Sequence, residues 1–109
     1  MTTPADLEAA GRALYGPAWG RRLAADLPVG YRTLQRWVGG DYPPPAWVSW
    51  ALLDLLDAEI AAGVARHAAR AAQAQDRAPV AALVEAEVDR LAILRDLRAR
   101  LSRGTDAGR

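Results

Sequence analysis

The fold is decided by residues 19–37, which read WGRRLAADLPVGYRTLQRW. On both sides of a three-residue break, apolar residues recur at intervals of three and four. This pattern predicts two short helices, at about Ala18–Leu27 and Tyr31–Val38. Two helices joined by so short a break must cross steeply, and a small residue is needed where they touch. Ala24 supplies that residue, while Leu34 and Trp37 give the second helix an apolar face.

The pattern resembles that of the Cro and lambda-repressor (XRE-like) helix-turn-helix regulators of phages and bacteria. In that family an alanine opens the motif, an apolar residue follows the turn, and an apolar residue with a Trp or Ile closes it. The matching residues in this chain are Ala24, Val29, Leu34 and Trp37. The continuation of the sequence also fits the family pattern: RWVGG at residues 36–40, then prolines at 43–45 and an apolar segment. The resemblance covers residues 18–56 and does not reach the C-terminal helices.

One residue of the turn departs from the family pattern. The family places glycine where the backbone adopts a positive φ, whereas this chain has Pro28, whose ring favours a φ near −65°. Either the turn differs from that of the family, or Gly30 takes over the role of the glycine.

Helix-start and helix-stop residues place the remaining elements. Thr3 as N-cap and Pro4 in the first turn predict a first helix that ends at Gly16. A fourth helix is predicted from Ala46 to about Gln75, and a last helix from Pro79. The fold class is therefore all-α: a four-to-five-helix helix-turn-helix domain followed by a C-terminal helical hairpin or coiled coil.

Three segments are predicted along the chain. Residues 1–60 form the helix-turn-helix domain, residues 61–101 form a helical hairpin for oligomerisation, and residues 102–109 form a flexible tail. The last helix carries a seam of apolar residues at intervals of three and four, which include Leu91, Leu94 and Leu101. The seam could pack on its own domain or on a second subunit. Because the four N-terminal helices already make a nearly complete domain, little is left to cover the hairpin, and we expect a homodimer through the C-terminal helices.

The resemblance implies which residues touch DNA. The positions that read base edges in the family fall on Tyr31, Arg32, Gln35 and Arg36. The chemistry of these residues agrees, since arginine pairs bidentately with guanine and glutamine with adenine. Phosphate contacts are assigned to Arg21, Arg22 and Thr33. From Trp19 to Val38 there are four arginines and one aspartate, a local charge of about +3 in a chain whose net charge is +1.

The composition argues against several other classes of protein. Cysteine is absent and there is one histidine, so no disulfide, thiolate zinc site or multi-histidine metal site is expected within one chain. No nucleophile–base pair or phosphate-binding loop is visible, so we expect neither an enzyme nor a cofactor. The N-terminus lacks a signal peptide and no apolar run has membrane-spanning length, which predicts a cytoplasmic protein without membrane contact.

The sequence therefore predicts a transcriptional regulator, a repressor of bacterial or phage type, that binds a pseudo-palindromic operator in double-stranded DNA. Two alternatives stay open. The first is a phage DNA-packaging accessory similar to a small terminase subunit, which also joins a helix-turn-helix to an oligomerising hairpin. The second is a helical protein-interaction module that does not bind DNA.

Overall fold

The computed structural model describes the backbone of residues 2–74 and 78–106, and the side chains of residues 2–70, 72 and 86–103. This part of the chain forms five helices and no strand, which confirms the predicted all-α fold. The helices are α1 (Pro4–Tyr15), α2 (Trp19–Asp26), α3 (Tyr31–Val38), α4 (Ala46–Ala74) and α5 (Ala78–Asp106).

The start of α1 follows the sequence closely. The hydroxyl of Thr3 accepts a hydrogen bond from the backbone N–H of Asp6 at 3.1 Å, and the Asp6 carboxylate accepts one from the N–H of Thr3 at 3.3 Å. This reciprocal capping box satisfies two N–H groups that have no partner inside the helix. At the other end, Gly16 has a φ of 79° and its N–H donates to the carbonyl of Arg12. The predicted bounds of this helix are confirmed.

The short helices α2 and α3 pack on each other and on α1. Leu23, Ala24, Leu34 and Trp37 are buried in one core, and the N–H of Val29 donates to the carbonyl of Ala24 across the turn at 3.0 Å. Helices of eight residues are not stable alone in water, so this burial is what holds them.

The turn between α2 and α3 has a positive φ at residue 28. Pro28 has a φ of 24°, whereas Gly30 is extended, with a φ of −68°, and serves as the N-cap of α3. The alternative that Gly30 takes over the role of the turn glycine is therefore wrong. The positive φ falls on Pro28 itself, although a proline ring favours a negative φ.

The two long helices run antiparallel, because contacts that move forward along α4 move backward along α5. In α4, Asp57 pairs with Arg98, and the later residue Arg66 pairs with Glu87, which precedes Arg98 in α5. Gly63 permits the close approach of the helices, since a Cβ atom there would lie 2.7 Å from Cδ2 of Leu91. The helix-weakening glycine in α4 is thus explained by packing.

A network of arginines and glutamates joins α4 and α5 to the end of α1. Glu59 accepts hydrogen bonds from Arg66 at 2.9 Å and from Arg90 at 2.7 Å. Arg90 also donates to the carbonyls of Ala13 and Leu14, at 3.2 and 3.4 Å. Arg90 therefore supplies donors to carbonyl groups at the end of α1 that the helix itself leaves without partners.

The apolar seam of α5 is covered by its own chain. Leu94, Leu97 and Leu101 belong to the same core as the leucines of α1 to α4, and Leu91 is buried as well. The expectation that this seam is uncovered was wrong, because α1 packs on α5 beside α4. A dimer stays a prediction, and it would need other residues.

Helix α5 extends into the segment that was predicted as a tail. The predicted tail begins too early, since α5 continues through Ser102 to Asp106, and the last three residues lie outside the described part of the chain. Within that described part, no helix combines the length and the apolar character required to cross a membrane.

Candidate nucleic-acid interface

Helix α3 has one buried side and one exposed side. Leu34 and Trp37 point into the core, and the ring of Trp37 meets the ring of Trp47 edge to face at 6.2 Å. The predicted base-reading residues Arg32, Gln35 and Arg36 are exposed, and so is Thr33. The predicted burial of Leu34 and Trp37 is confirmed, and the contacts of the exposed residues with DNA stay predictions.

Tyr31, at the start of α3, packs against the first turn of α2. A Cβ atom on Gly20 would lie 2.9 Å from Cε2 of Tyr31, so the ring rests on the backbone of α2. The guanidinium of Arg21 lies 4.5 Å from the centre of the same ring, within the range of a cation–π interaction. Tyr31 keeps 37% of its surface exposed. Its predicted base contact stays a prediction, and its packing on α2 is an additional role.

Arg22, the second predicted phosphate contact, lies over another tyrosine. Its guanidinium is 5.6 Å from the centre of the Tyr15 ring, at the end of α1. The Tyr15 hydroxyl donates to the carboxylate of Asp26, and burial together with this hydrogen bond raises the pKa of Tyr15 well above its usual range. The carboxylate of Asp26, the one acidic residue of α2, therefore accepts a hydrogen bond from a tyrosine hydroxyl.

Arg36, at the end of α3, lies over the third tyrosine. The centre of the Tyr42 ring is 5.8 Å from the Arg36 guanidinium, and Tyr42 is 56% exposed. The chain has three tyrosines, and each lies beneath an arginine of α2 or α3. Sequence reasoning missed Tyr42 because it lies in a loop, where no helical periodicity indicates which way a side chain points.

The described arginines differ in whether a described carboxylate pairs with them, and Arg95 and Arg103 of α5 are among those without such a pair. Among the described side chains, carboxylates pair with arginines of α1, α4 and α5, namely Arg12, Arg66, Arg70, Arg90, Arg98 and Arg100. The four arginines of α2 and α3 form no ion pair with a described carboxylate. Their positive charge is therefore not neutralised locally, which leaves a basic surface on a nearly neutral protein.

A cleft of about 540 Å³ is lined by residues from the start of α2 and from α3. Its walls are mostly apolar, and Arg21, Tyr31 and Gln35 are among its polar lining residues. The N-cap of α2 is Ala18, which makes no side-chain hydrogen bond to the first turn. The first N–H groups of α2 are thus left without a side-chain cap at the mouth of this cleft.

A second surface lies between α1 and α5. An open groove of about 610 Å³ has a floor of small apolar residues that includes Ala9, Ala13 and Ala92. Ile93 lines this groove with 57% of its surface exposed. Two ion pairs border the groove, Glu8 with Arg12 and Asp96 with Arg100, so charges of both signs lie along its rim.

Neither a search for metal-binding side chains nor comparison with known proteins identifies a function for this chain. Within the described ranges, no cluster of three or more histidine, aspartate or glutamate side chains could hold a metal ion. Comparisons of the chain with protein-family models, with curated proteins and with solved structures found no match.

Proposed function

We propose that this protein binds double-stranded DNA sequence-specifically and acts as a transcriptional regulator, a repressor that occupies its operator. The observation that carries the proposal is the arrangement of α3. Leu34 and Trp37 anchor the helix, while Arg32 and Arg36 are exposed and lack a described carboxylate partner. An anchored helix with unpaired arginines on its outer side is suited to entry into a major groove.

The roles of the side chains follow from their chemistry. Arg32 and Arg36 lie one helical turn apart, and each offers the fork of donors that matches O6 and N7 of guanine. Gln35, beside Arg36, offers the donor and acceptor that match adenine. These three residues are proposed to read bases, with Tyr31 as a fourth.

Phosphate contacts are assigned to residues that flank the reading surface. Arg21 and Arg22 lie on α2, and Thr33 is exposed on the first turn of α3. The uncapped N–H groups at the start of α2 add partial positive charge on the same side as Arg21. Neutralisation of phosphates by these groups should make the affinity fall steeply with salt.

The DNA-bound form is proposed to be a homodimer on a pseudo-palindromic site. The leucine seam of α5 cannot serve as its interface because it is buried, whereas the groove between α1 and α5 is open. A two-fold axis would place Ile93 of each copy against the small residues of the other. The rim carries both charge signs, so a second copy related by the two-fold axis can bring opposite charges together there.

Selection of bound sequences from a random duplex pool tests the proposal, because it reports binding, symmetry and half-site spacing together. Arg36→Ala should then weaken binding to the selected site by about 1–3 kcal/mol and relax the preference at one base pair. Arg95→Ala, at an exposed arginine of α5, removes the same charge and should leave binding unchanged.

Three results would contradict the proposal or redirect it. If the wild-type protein binds no duplex better than bulk competitor DNA at about 100 mM salt, DNA recognition is wrong. An absence of any salt-dependent affinity would favour the protein-interaction module. A ring of about eight or more subunits in solution would favour the packaging accessory over the regulator.

A further inference from the structure

We propose that Tyr42 is a positioning residue that holds Arg36 in the orientation in which it reads a base. This inference rests on the proposed DNA binding and extends it to a residue outside the helix-turn-helix. The observation behind it is the Arg36 guanidinium, which lies 5.8 Å from the centre of the Tyr42 ring.

The loop that carries Tyr42 is tied to the last turn of α3. The N–H of Gly39 donates to the carbonyl of Gln35 at 2.8 Å, and the N–H of Asp41 donates to the carbonyl of Arg36 at 3.0 Å. Between them Gly40 adopts a φ of 83°, which reverses the chain and which residues with a side chain rarely adopt. The backbone that leads into Tyr42 is therefore fixed relative to Arg36.

The segment after Tyr42 restrains the loop from the other side. Three consecutive prolines, at residues 43–45, limit the backbone to an extended conformation, and Pro44 is buried. The backbone is therefore restrained on both sides of Tyr42, whose ring lies beside the Arg36 guanidinium. A ring on a restrained backbone beside a long, flexible side chain is the arrangement expected of a platform.

A platform matters because a free arginine loses much rotational freedom when it binds a base edge. Stacking on a ring removes part of that freedom before DNA arrives, so less is lost on binding. The strength of an exposed cation–π contact corresponds to a change in affinity of about two- to five-fold. The effect should be confined to the base pair that Arg36 reads.

A double-mutant cycle tests this role. Tyr42→Leu removes the ring and Tyr42→Phe keeps it, and each is combined with wild-type Arg36 and with Arg36→Ala. We expect Tyr42→Leu to weaken binding to the selected site by about two- to five-fold, and Tyr42→Phe to match the wild type. In the Arg36→Ala background, Tyr42→Leu should cause no further loss. Thermal melting of each variant checks that the half-exposed position leaves the fold intact.

Each other outcome overturns the inference. Equal losses for Phe and Leu would assign the effect to the Tyr42 hydroxyl. A loss that persists in the Arg36→Ala background would show that Tyr42 itself contacts DNA. No loss at all would mean that the ring does not position Arg36.

A measurement without DNA separates this inference from the proposed function. In the free protein, the ring current of Tyr42 should shift the NMR resonance of the Arg36 Nε proton, and Tyr42→Leu should abolish that shift. If the ring contact is present but the wild type binds no duplex, the proposed function fails and the role of Tyr42 fails with it. If the wild type binds and the cycle shows no coupling, only the role of Tyr42 fails.

Discussion

The guanidinium of Arg21 lies 4.5 Å from the centre of the Tyr31 ring, and the edge of that ring rests on Gly20. The residue that opens α3 is thus held by the first turn of α2. This contact connects the residues assigned to phosphates with those assigned to bases, because Arg21 belongs to the first group and Tyr31 was predicted in the second.

Variants of Tyr31 should separate a platform from a base contact. Tyr31→Leu removes both the ring and the hydroxyl. It should lower affinity by about two- to five-fold for operator and unrelated duplexes alike, because Arg21 is assigned to a phosphate, and it should also lose preference at one base pair. Tyr31→Phe keeps the ring and should lose only that preference, because the Tyr31 hydroxyl is proposed to read a base. Fluorescence anisotropy with both duplexes measures the effects. If Tyr31→Phe binds both duplexes as the wild type does, Tyr31 supports Arg21 and reads no base.

Pro28→Gly should stabilise the protein. An unfavourable φ lowers the free energy of unfolding by on the order of 1–3 kcal/mol. Replacement of proline by glycine also makes the unfolded chain more flexible, which lowers the free energy of unfolding by about 0.4–1 kcal/mol. Since Pro28 has a φ of 24°, the first effect is larger and we expect a net gain of about 1 kcal/mol in the free energy of unfolding. Urea denaturation measures it.

Pro43→Gly is the matched control for this change. Pro43 is exposed and is not among the residues with a positive φ. Its replacement by glycine therefore relieves no strain and only makes the unfolded chain more flexible. We expect that control to lose about 0.4–1 kcal/mol. A comparable loss in Pro28→Gly would mean that proline is the residue best suited to the turn.

Glu59→Gln should make stability less dependent on pH under acidic conditions. Partial burial would raise the pKa of Glu59, but hydrogen bonds from Arg66 and Arg90 outweigh it and hold the pKa below its ordinary value of 4.5. A carboxylate with a lowered folded-state pKa stabilises fully above its unfolded value, and that contribution disappears as the pH falls through the folded value.

The corresponding measurement is the free energy of unfolding of both proteins between about pH 7 and pH 3. At neutral pH the variant should be less stable by about 1–2 kcal/mol, because hydrogen bonds to a charged group are lost. The difference should shrink below pH 4.5, the ordinary value for this carboxyl. Asp54→Asn, at an exposed carboxylate of α4, is the control. A difference that stays constant with pH would exclude Glu59 as the source.

Ile93→Glu should disrupt the proposed dimer. Two glutamates would be brought to the centre of an apolar contact, where burial of unpaired charge is strongly unfavourable. Light scattering should show a monomer, and operator binding should weaken. Val88→Glu is the control, since Val88 lies on the same helix with 47% of its surface exposed and is not a lining residue of the groove. A wild-type protein that is monomeric at all concentrations would rule out the dimer.

Local chemistry let the sequence determine much of this protein. Thr3 and Pro4 defined the start of α1, and the break before Tyr31 together with Gly39 defined both ends of α3. The spacing of Leu34 and Trp37 also determined which side of α3 faces the core. These features depend on residues within four positions of one another, and such short-range preferences are readable without a fold.

Only the tertiary structure decided what covers the leucines of α5 and which arginines keep their charge unpaired. Leu94 is buried because α1 and α4 both pack on its helix, and no local pattern reveals a neighbour so distant in sequence. Arg90 pairs with Glu59 and Arg66 pairs with Glu87 across α4 and α5, whereas the arginines of α2 and α3 form no ion pair with a described carboxylate. Pairing between charges depends on distance in space, and the chain brings those groups together only when it folds.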